Sequence, residues 1–328
     1  MFRVGLNPYG LTCTVGLQGL GTPRANARGV GLRGFIDIAR GIGARCIEID
    51  GRWLAGMADA ELAAVQRELA EDTVICSYWL AHEPGETLAE PIRRAAAVGA
   101  GLVRLHLMPV LEGARAALGP RWKTMLAHAR GTLVREAQRA REAGLELAIE
   151  NHQDLGSEEL VAIAEEAGDH VGIVFDTGNP FSVGEDPVAF ARRAAHRIRH
   201  VHLKDYVAQW TDDGFRLVRC AIGDGCVPFA ELESILGGRE PALTASIEPG
   251  ALEARHIRLF SAGWWEGYGP RGAAELGVAL ARLRQRRLGD DADCRTPWER
   301  GASNEALIAY EGAQLARSVE NLRALGWM

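Results

Sequence analysis

The chain has 328 residues, with 37 Lys and Arg against 43 Asp and Glu, a formal charge of -6 and a pI near 5.9. This acidic balance argues against broad contact with nucleic-acid backbones, whose binding draws on Lys and Arg to displace counterions. The length exceeds a minimal domain and suits a single α/β barrel with elaborated loops, while no apolar run is long enough to span a bilayer.

Six cysteines (Cys13, Cys46, Cys76, Cys220, Cys226, Cys294) are scattered without a CxxC pair. Several sit in apolar runs where reduced Cys behaves as a small hydrophobe, so a reducing cytoplasm is expected. The opening MFRVGLNPYG enters strand-like sequence at once and lacks the basic, apolar, small-residue order of a leader.

From residue 2 onward, short β-rich runs alternate with amphipathic stretches, which predicts parallel strands covered by helices. The strand-like runs are 2–8, 44–50, 73–80, 102–108, 146–152, 171–179, 198–205 and 242–250. Helix-like stretches occupy 31–42, 59–71, 86–98, 121–143, 157–167, 186–195, 228–236 and 304–325. Side-chain parity places Glu48, Arg104, His106, Glu150, His152, His200, His202, Lys204 and Glu248 on faces opposite the aliphatic residues. A doubly wound sheet would be apolar on both faces, so a barrel with an interior that turns polar toward its top is predicted. The expected fold is a (β/α)8 TIM barrel with long loops after strands 1, 7 and 8. It forms one domain over 1–328, with 251–303 as an elaborated loop and 304–325 as a closing helix.

Four of the runs end in a metal-type ligand: Glu150 in ELAIENH, Asp176 in VGIVFDTGN, His202 in IRHVHLKD and Glu248 in ALTASIEPG. Each alone has a plain structural explanation, such as pairing with Arg104 or Lys204. At one barrel mouth, however, three acids without a cation would repel one another, whereas a divalent ion stabilises all three as carboxylates. One imidazole with three carboxylates is a hard set that suits Mn²⁺ first, with Mg²⁺, Co²⁺ or Zn²⁺ admissible.

The segments AIENH, FDTGN, HVHLKD and SIEP, in this order, resemble the sugar phosphate isomerase/epimerase group of xylose-isomerase-like TIM barrels over roughly residues 1–250. The resemblance implies that Glu150, Asp176, His202 and Glu248 bind one divalent ion, with Glu150 and Glu248 doubling as an acid/base pair on opposite sides of a substrate carbon. The chain departs from the pattern in carrying Asn179 where many relatives have a histidine. It also lacks the arginine that ketose epimerases carry a few residues beyond the position of His202. The opening NPYGLT with GLQGLGTPRAN resembles the 3-oxoisoapionate decarboxylase subgroup.

The implied reaction passes through a metal-stabilised enediolate of a small keto sugar or sugar acid. Returning the proton gives isomerisation or epimerisation, the leading expectation; losing CO2 from a 3-oxo sugar acid, or a β-hydroxyl in dehydration, are the alternatives. Arg24, Lys204 and Arg271 are candidates for holding a substrate carboxylate. Trp264 and Trp265, beside Tyr268, are candidates for stacking on a sugar face. His82, His106, His152 and Asn179 are candidate donors to hydroxyls. An endonuclease IV-like nuclease would need a richer His/Asp/Glu cluster and a basic face, and a noncatalytic sugar-binding protein would not need both glutamates. A homo-oligomer is compatible with this reading.

Overall fold

A computed structural model of the chain describes residues 2–80, 85–289 and 291–328. In chain order the elements are β1 (Arg3–Leu6), α1 (Gly31–Gly41), β2 (Cys46–Asp50), α2 (Gly51–Leu54), α3 (Asp59–Glu68), β3 (Thr73–Trp79) and α4 (Ala89–Ala97). There follow β4 (Leu102–His106), α5 (Arg121–Glu142), β5 (Glu146–Glu150), α6 (Ser157–Ala167), β6 (Val171–Asp176), α7 (Pro187–Ala194) and β7 (Ile198–Leu203). The chain ends with β8 (Asp205–Thr211), β9 (Gly214–Cys220), α8 (Phe229–Leu236), β10 (Thr244–Ile247), β11 (Arg255–Ile257), α9 (Ala273–Gln285) and α10 (Asn304–Ala324).

Eight parallel strands close in the order β1-β10-β7-β6-β5-β4-β3-β2. The helices form where apolar residues recur at helical spacing: Leu32, Phe35, Ile36 and Ala39 of α1 are all buried. Local chemistry sets their starts. Pro187 opens α7 while the Asp186 side chain accepts from Ala189 N at 3.0 Å.

Inside the barrel, the inward residues stack in layers. Cys46, Ile75, Leu102, Ala148 and Val174 form an apolar floor. Two residues further along their strands stand Glu48, Ser77, Arg104, Glu150 and Asp176, all buried. The predicted change from apolar to polar toward the top is therefore present, and it follows from the period-2 alternation of each strand. The wall is tight at Gly5 of β1, where a Cβ would come within 2.4 Å of the Cys46 carbonyl oxygen.

The long insertions contain structure that was not predicted. After β7 the chain forms the β8–β9 hairpin, and β11, from the loop after β10, adds to it antiparallel to make a three-stranded sheet. The first loop is tied to the final helix: buried Glu311 of α10 accepts from Cys13 N at 3.0 Å, Thr14 N at 2.8 Å and Thr14 Oγ1 at 2.7 Å. Among the described residues, no helix is long and apolar enough to cross a membrane.

Candidate active site

Parallel strands deliver their C-terminal ends to one rim of the barrel, and the four expected ligands meet there. Ligand atoms of Glu150, Asp176 and His202 all lie within 4.8 Å of one another. Glu248 joins them through Oε2, which is 3.2 Å from His202 Nδ1, while Glu150 Oε1 is 3.6 Å from the same nitrogen. Glu48 stands on the far side of the imidazole, its Oε2 2.9 Å from His202 Nε2. Ser77 donates to the other oxygen of Glu48.

Two internal cations are threaded through the acids. Lys204 Nζ donates to Asp176 Oδ2 and, at 2.6 Å, to Glu248 Oε1. Arg104 pairs with Glu150 Oε2, which His106 Nε2 also meets at 2.9 Å. Asn7, at the end of β1, donates to Glu248 Oε2 at 2.8 Å. Asp176 is aimed by its neighbours: Oδ1 accepts from Gly178 N and Asn179 N at 3.0 Å each.

These contacts set the ionisation of the site. Burial alone would raise the Glu150 carboxyl, yet Arg104, His106 and His202 together hold it well below the usual range. Burial likewise works against ionised Glu248, but Lys204 and His202 bring it down to about 2. Asp176 moves the other way, to about 6, because burial and the charges of Glu248 and Glu150 outweigh Lys204. Burial drives His106 down to about 4, with Arg104 adding to the effect, so its imidazole is neutral at pH 7.

The donor set fits a divalent ion on its own geometry. Among the described residues, the buried Glu150 Oε1 and His202 Nδ1 have no hydrogen-bond partners, although they face each other. Buried lone pairs left in this way are unusual unless something else satisfies them. The Glu48 carboxylate at Nε2 would fix the tautomer that leaves Nδ1 free, as a supporting carboxylate does for a metal-bound histidine. Glu150, Asp176 and His202 could hold such an ion, with Glu248 beside them at His202 Nδ1.

Above the acids lies a cavity of about 500 Å³ whose walls include Tyr9, Trp79, Arg104, His106, His152 and Glu248. The cavity thus contains the predicted candidates His106 and His152, which pack against each other with ring centroids 3.7 Å apart and planes tilted by 36°. Lys204 stands among the acids beneath it. Asn179 is buried behind Asp176, its Oδ1 3.4 Å from the Tyr206 hydroxyl.

Four other candidates are held elsewhere. Arg24 lies over the Trp298 ring at 3.4 Å and donates to the Trp298 carbonyl. Trp264 stacks on Tyr268 at 4.8 Å and donates to Glu112 O, while Trp265 donates to Leu259 O. Arg271 donates to Val183 O and pairs with Glu185 at 3.2 Å. The reason is common to all four: each is held by a backbone carbonyl, and Arg24 and Trp264 by a partner ring as well, outside the walls of this cavity. His82 lies outside the described residues.

Several wall residues had weaker sequence signals. Parity flagged Glu48 and Arg104 as inward, but no motif assigned them to the site. Trp79 shares the inward parity of Ser77, and it is 53 % exposed where it meets the edges of His106 and His152. Arg219 and Arg255 also line the cavity, from strands in insertions whose register the sequence did not reveal.

The eight-stranded barrel carries its rim of acids at the C-terminal strand ends, and the comparisons agree with this fold class. The sequence model of the xylose isomerase-like TIM barrel matches residues 36–257, more than half of the chain, and the protein belongs to that family. It is 33 % identical to Escherichia coli K12 YihM over 108 residues, covering 32 % of this chain and 33 % of that protein. It is 30 % identical to a Clostridium beijerinckii inosose dehydratase over 145 residues, 39 % of this chain and 47 % of that one. The matched regions therefore span only a third to a half of these relatives. Among solved structures, a probable 3-DHS dehydratase, AsbF, from Bacillus anthracis superposes with a TM-score of 0.55 at 14 % identity, covering 87 % of this chain and 98 % of that one. At that identity the likeness is one of fold.

Proposed function

We propose that the protein is a divalent-metal-dependent enzyme that removes the proton beside a carbonyl of a small keto sugar or sugar acid, with isomerisation or epimerisation as its outcome. One observation carries this reading: Glu150 Oε1 and Glu248 Oε2, from different strand ends, both approach His202 Nδ1, at 3.6 and 3.2 Å. Two carboxylates at one centre can serve as base and conjugate acid for a carbon held between them. When bound, the ion, for which Mn²⁺ is the first choice, supplies positive charge to a substrate carbonyl and its neighbouring hydroxyl.

The chain's own groups do the rest. Glu150 and Glu248 are both ionised at neutral pH, so Glu150 can receive the proton removed, and a proton returned from the opposite face by way of Glu248 would be drawn from Lys204. Lys204, 2.6 Å from Glu248 Oε1, holds that carboxylate and can share a proton with it. Neutral His106 touches Glu150 and the cavity together, which suits it to relay a proton or to bind a hydroxyl. Trp79 offers an exposed ring to the C–H face of a sugar. We also read the six free cysteines as fitting a cytoplasmic location, and 1–328 as one barrel domain.

A lyase reading comes second, because the sequence matches include inosose dehydratases. The test uses protein loaded with Mn²⁺ and freed of chelator. Deuterium from solvent entering a ketose at the carbon beside its carbonyl supports the lead reading. Enone formation from a keto cyclitol, or CO2 from a 3-oxo sugar acid, without such exchange would replace it by a lyase. Failure to bind any divalent ion would remove the basis of both.

A further inference from the structure

The three-stranded sheet of β8, β9 and β11 turns one face to the cavity, and two arginines stand on it. Tyr206 lies opposite Arg219, and Arg255 lies opposite Leu217, two residues from Arg219, so the three side chains leave the same face. Arg219 is 7 % exposed. Its Nη1 reaches the Pro249 carbonyl at 3.4 Å, but among the described residues its buried Nε has no partner, nor has the buried Nε of Arg255.

Neither arginine forms an ion pair among the described residues, in contrast to the other two arginines that line the cavity. Arg52 grips Asp50 with two hydrogen bonds, at 2.9 and 2.7 Å, and Arg104 pairs with Glu150. Burying guanidinium groups side by side is costly unless an anion meets them. The backbone beneath Arg219 is kept bare: at Gly250, with φ of 141°, a Cβ would come within 2.7 Å of Arg219 Nη1. Across the cavity, the exposed surfaces of Trp79 and Leu111 supply an apolar wall.

We propose that Arg219 and Arg255 form an anion subsite, so that the substrate is a sugar derivative bearing a carboxylate or phosphate. This rests on the reading of the cavity as the substrate site. A carboxylate gripped by two guanidiniums is stabilised against leaving as CO2, so the subsite binds the substrate while the chemistry happens at another carbon.

Binding of three probes to the Mn²⁺-loaded protein, followed by calorimetry, tests this: D-gluconate, sorbitol 6-phosphate and neutral sorbitol. At least one anion should bind about tenfold or more tightly than sorbitol, the usual scale for charge-assisted hydrogen bonds. That advantage should fall about tenfold in Arg219→Gln and in Arg255→Gln, persist in part in Arg219→Lys, and stay whole in Arg24→Gln. Which anion prevails tells carboxylate from phosphate. Equal affinity for all three, or an advantage that survives both Gln variants with unchanged melting temperatures, overturns the proposal. Deuterium exchange into a neutral ketose alongside equal affinities would reject the subsite but keep the proposed reaction. An arginine-dependent anion preference without exchange would do the reverse.

Discussion

Lys204 is a charge that two acids of the rim share, since its Nζ serves both Asp176 and Glu248. Lys204→Met should therefore destabilise the metal-free protein by about 3–5 kcal/mol, the cost of leaving buried charges unpaired. Added Mn²⁺ should restore part of the loss, and urea unfolding with and without the ion checks both statements. Glu150→Gln and Glu248→Gln should each lower turnover at least about a hundredfold and also lower the melting temperature, because each removes an acid/base group and takes the counter-charge from a buried cation, Arg104 or Lys204. Near-normal turnover in either variant would end its assigned role. His106 has a folded-state pKa near 4 against an ordinary 6.5, so the unfolded chain binds the extra proton and stability falls as pH drops through that window. At pH 5 the loss from this group is about 2 kcal/mol. Unfolding in excess chelator at pH 7 and pH 5 should show a smaller difference for His106→Gln than for the parent chain. The ligand residues were legible at this scale because each closes a short apolar run. Arg219 and Arg255 were not, since a side chain's facing is readable only once its strand's register is known.

The eight barrel strands were readable because aliphatic and polar residues alternate and helical stretches separate them. The hairpin was less so. Its turn, Asp212-Asp213 between the paired Thr211 and Gly214, is a two-residue loop of a kind that hairpins favour, but the flanking QW and FR do not alternate cleanly. The strand pair is recognisable only by its partner, β11, some 35 residues away, from Cys220 to Arg255. Helix α10 has a role that its pattern did not announce either. Its Glu311 collects three hydrogen bonds from the loop after β1, and the same loop contributes Tyr9, Thr12, Leu17 and Gln18 to the cavity wall. Glu311→Ala should loosen that loop, raising KM several-fold with a smaller effect on kcat. Faster amide hydrogen exchange confined to residues 12–17 would separate this from general destabilisation.

The whole molecule couples its stability to the ion it is proposed to hold. If the site binds a divalent cation only when folded, saturating it to a hundred times its dissociation constant adds about 2.7 kcal/mol. Chelator should then lower the melting temperature by a few degrees, and a mutant carrying both Glu150→Gln and Asp176→Asn should show no such response. A melting temperature indifferent to chelator and to Mn²⁺ would count against the site as a whole.

Barrel closure also sets an order of events. β1 pairs with β10 over Arg3↔Thr244 to Leu6↔Ile247, and Asn7 reaches Glu248 just beyond that seam. During synthesis, a chain that has emerged only through β7 already carries Glu150, Asp176 and His202 but has no eighth strand to receive β1. Its first strand waits with an unpaired edge for a partner just over 240 residues downstream. Glu248 arrives with that partner, so the last acid of the rim is delivered by the same event that joins the two ends of the sheet.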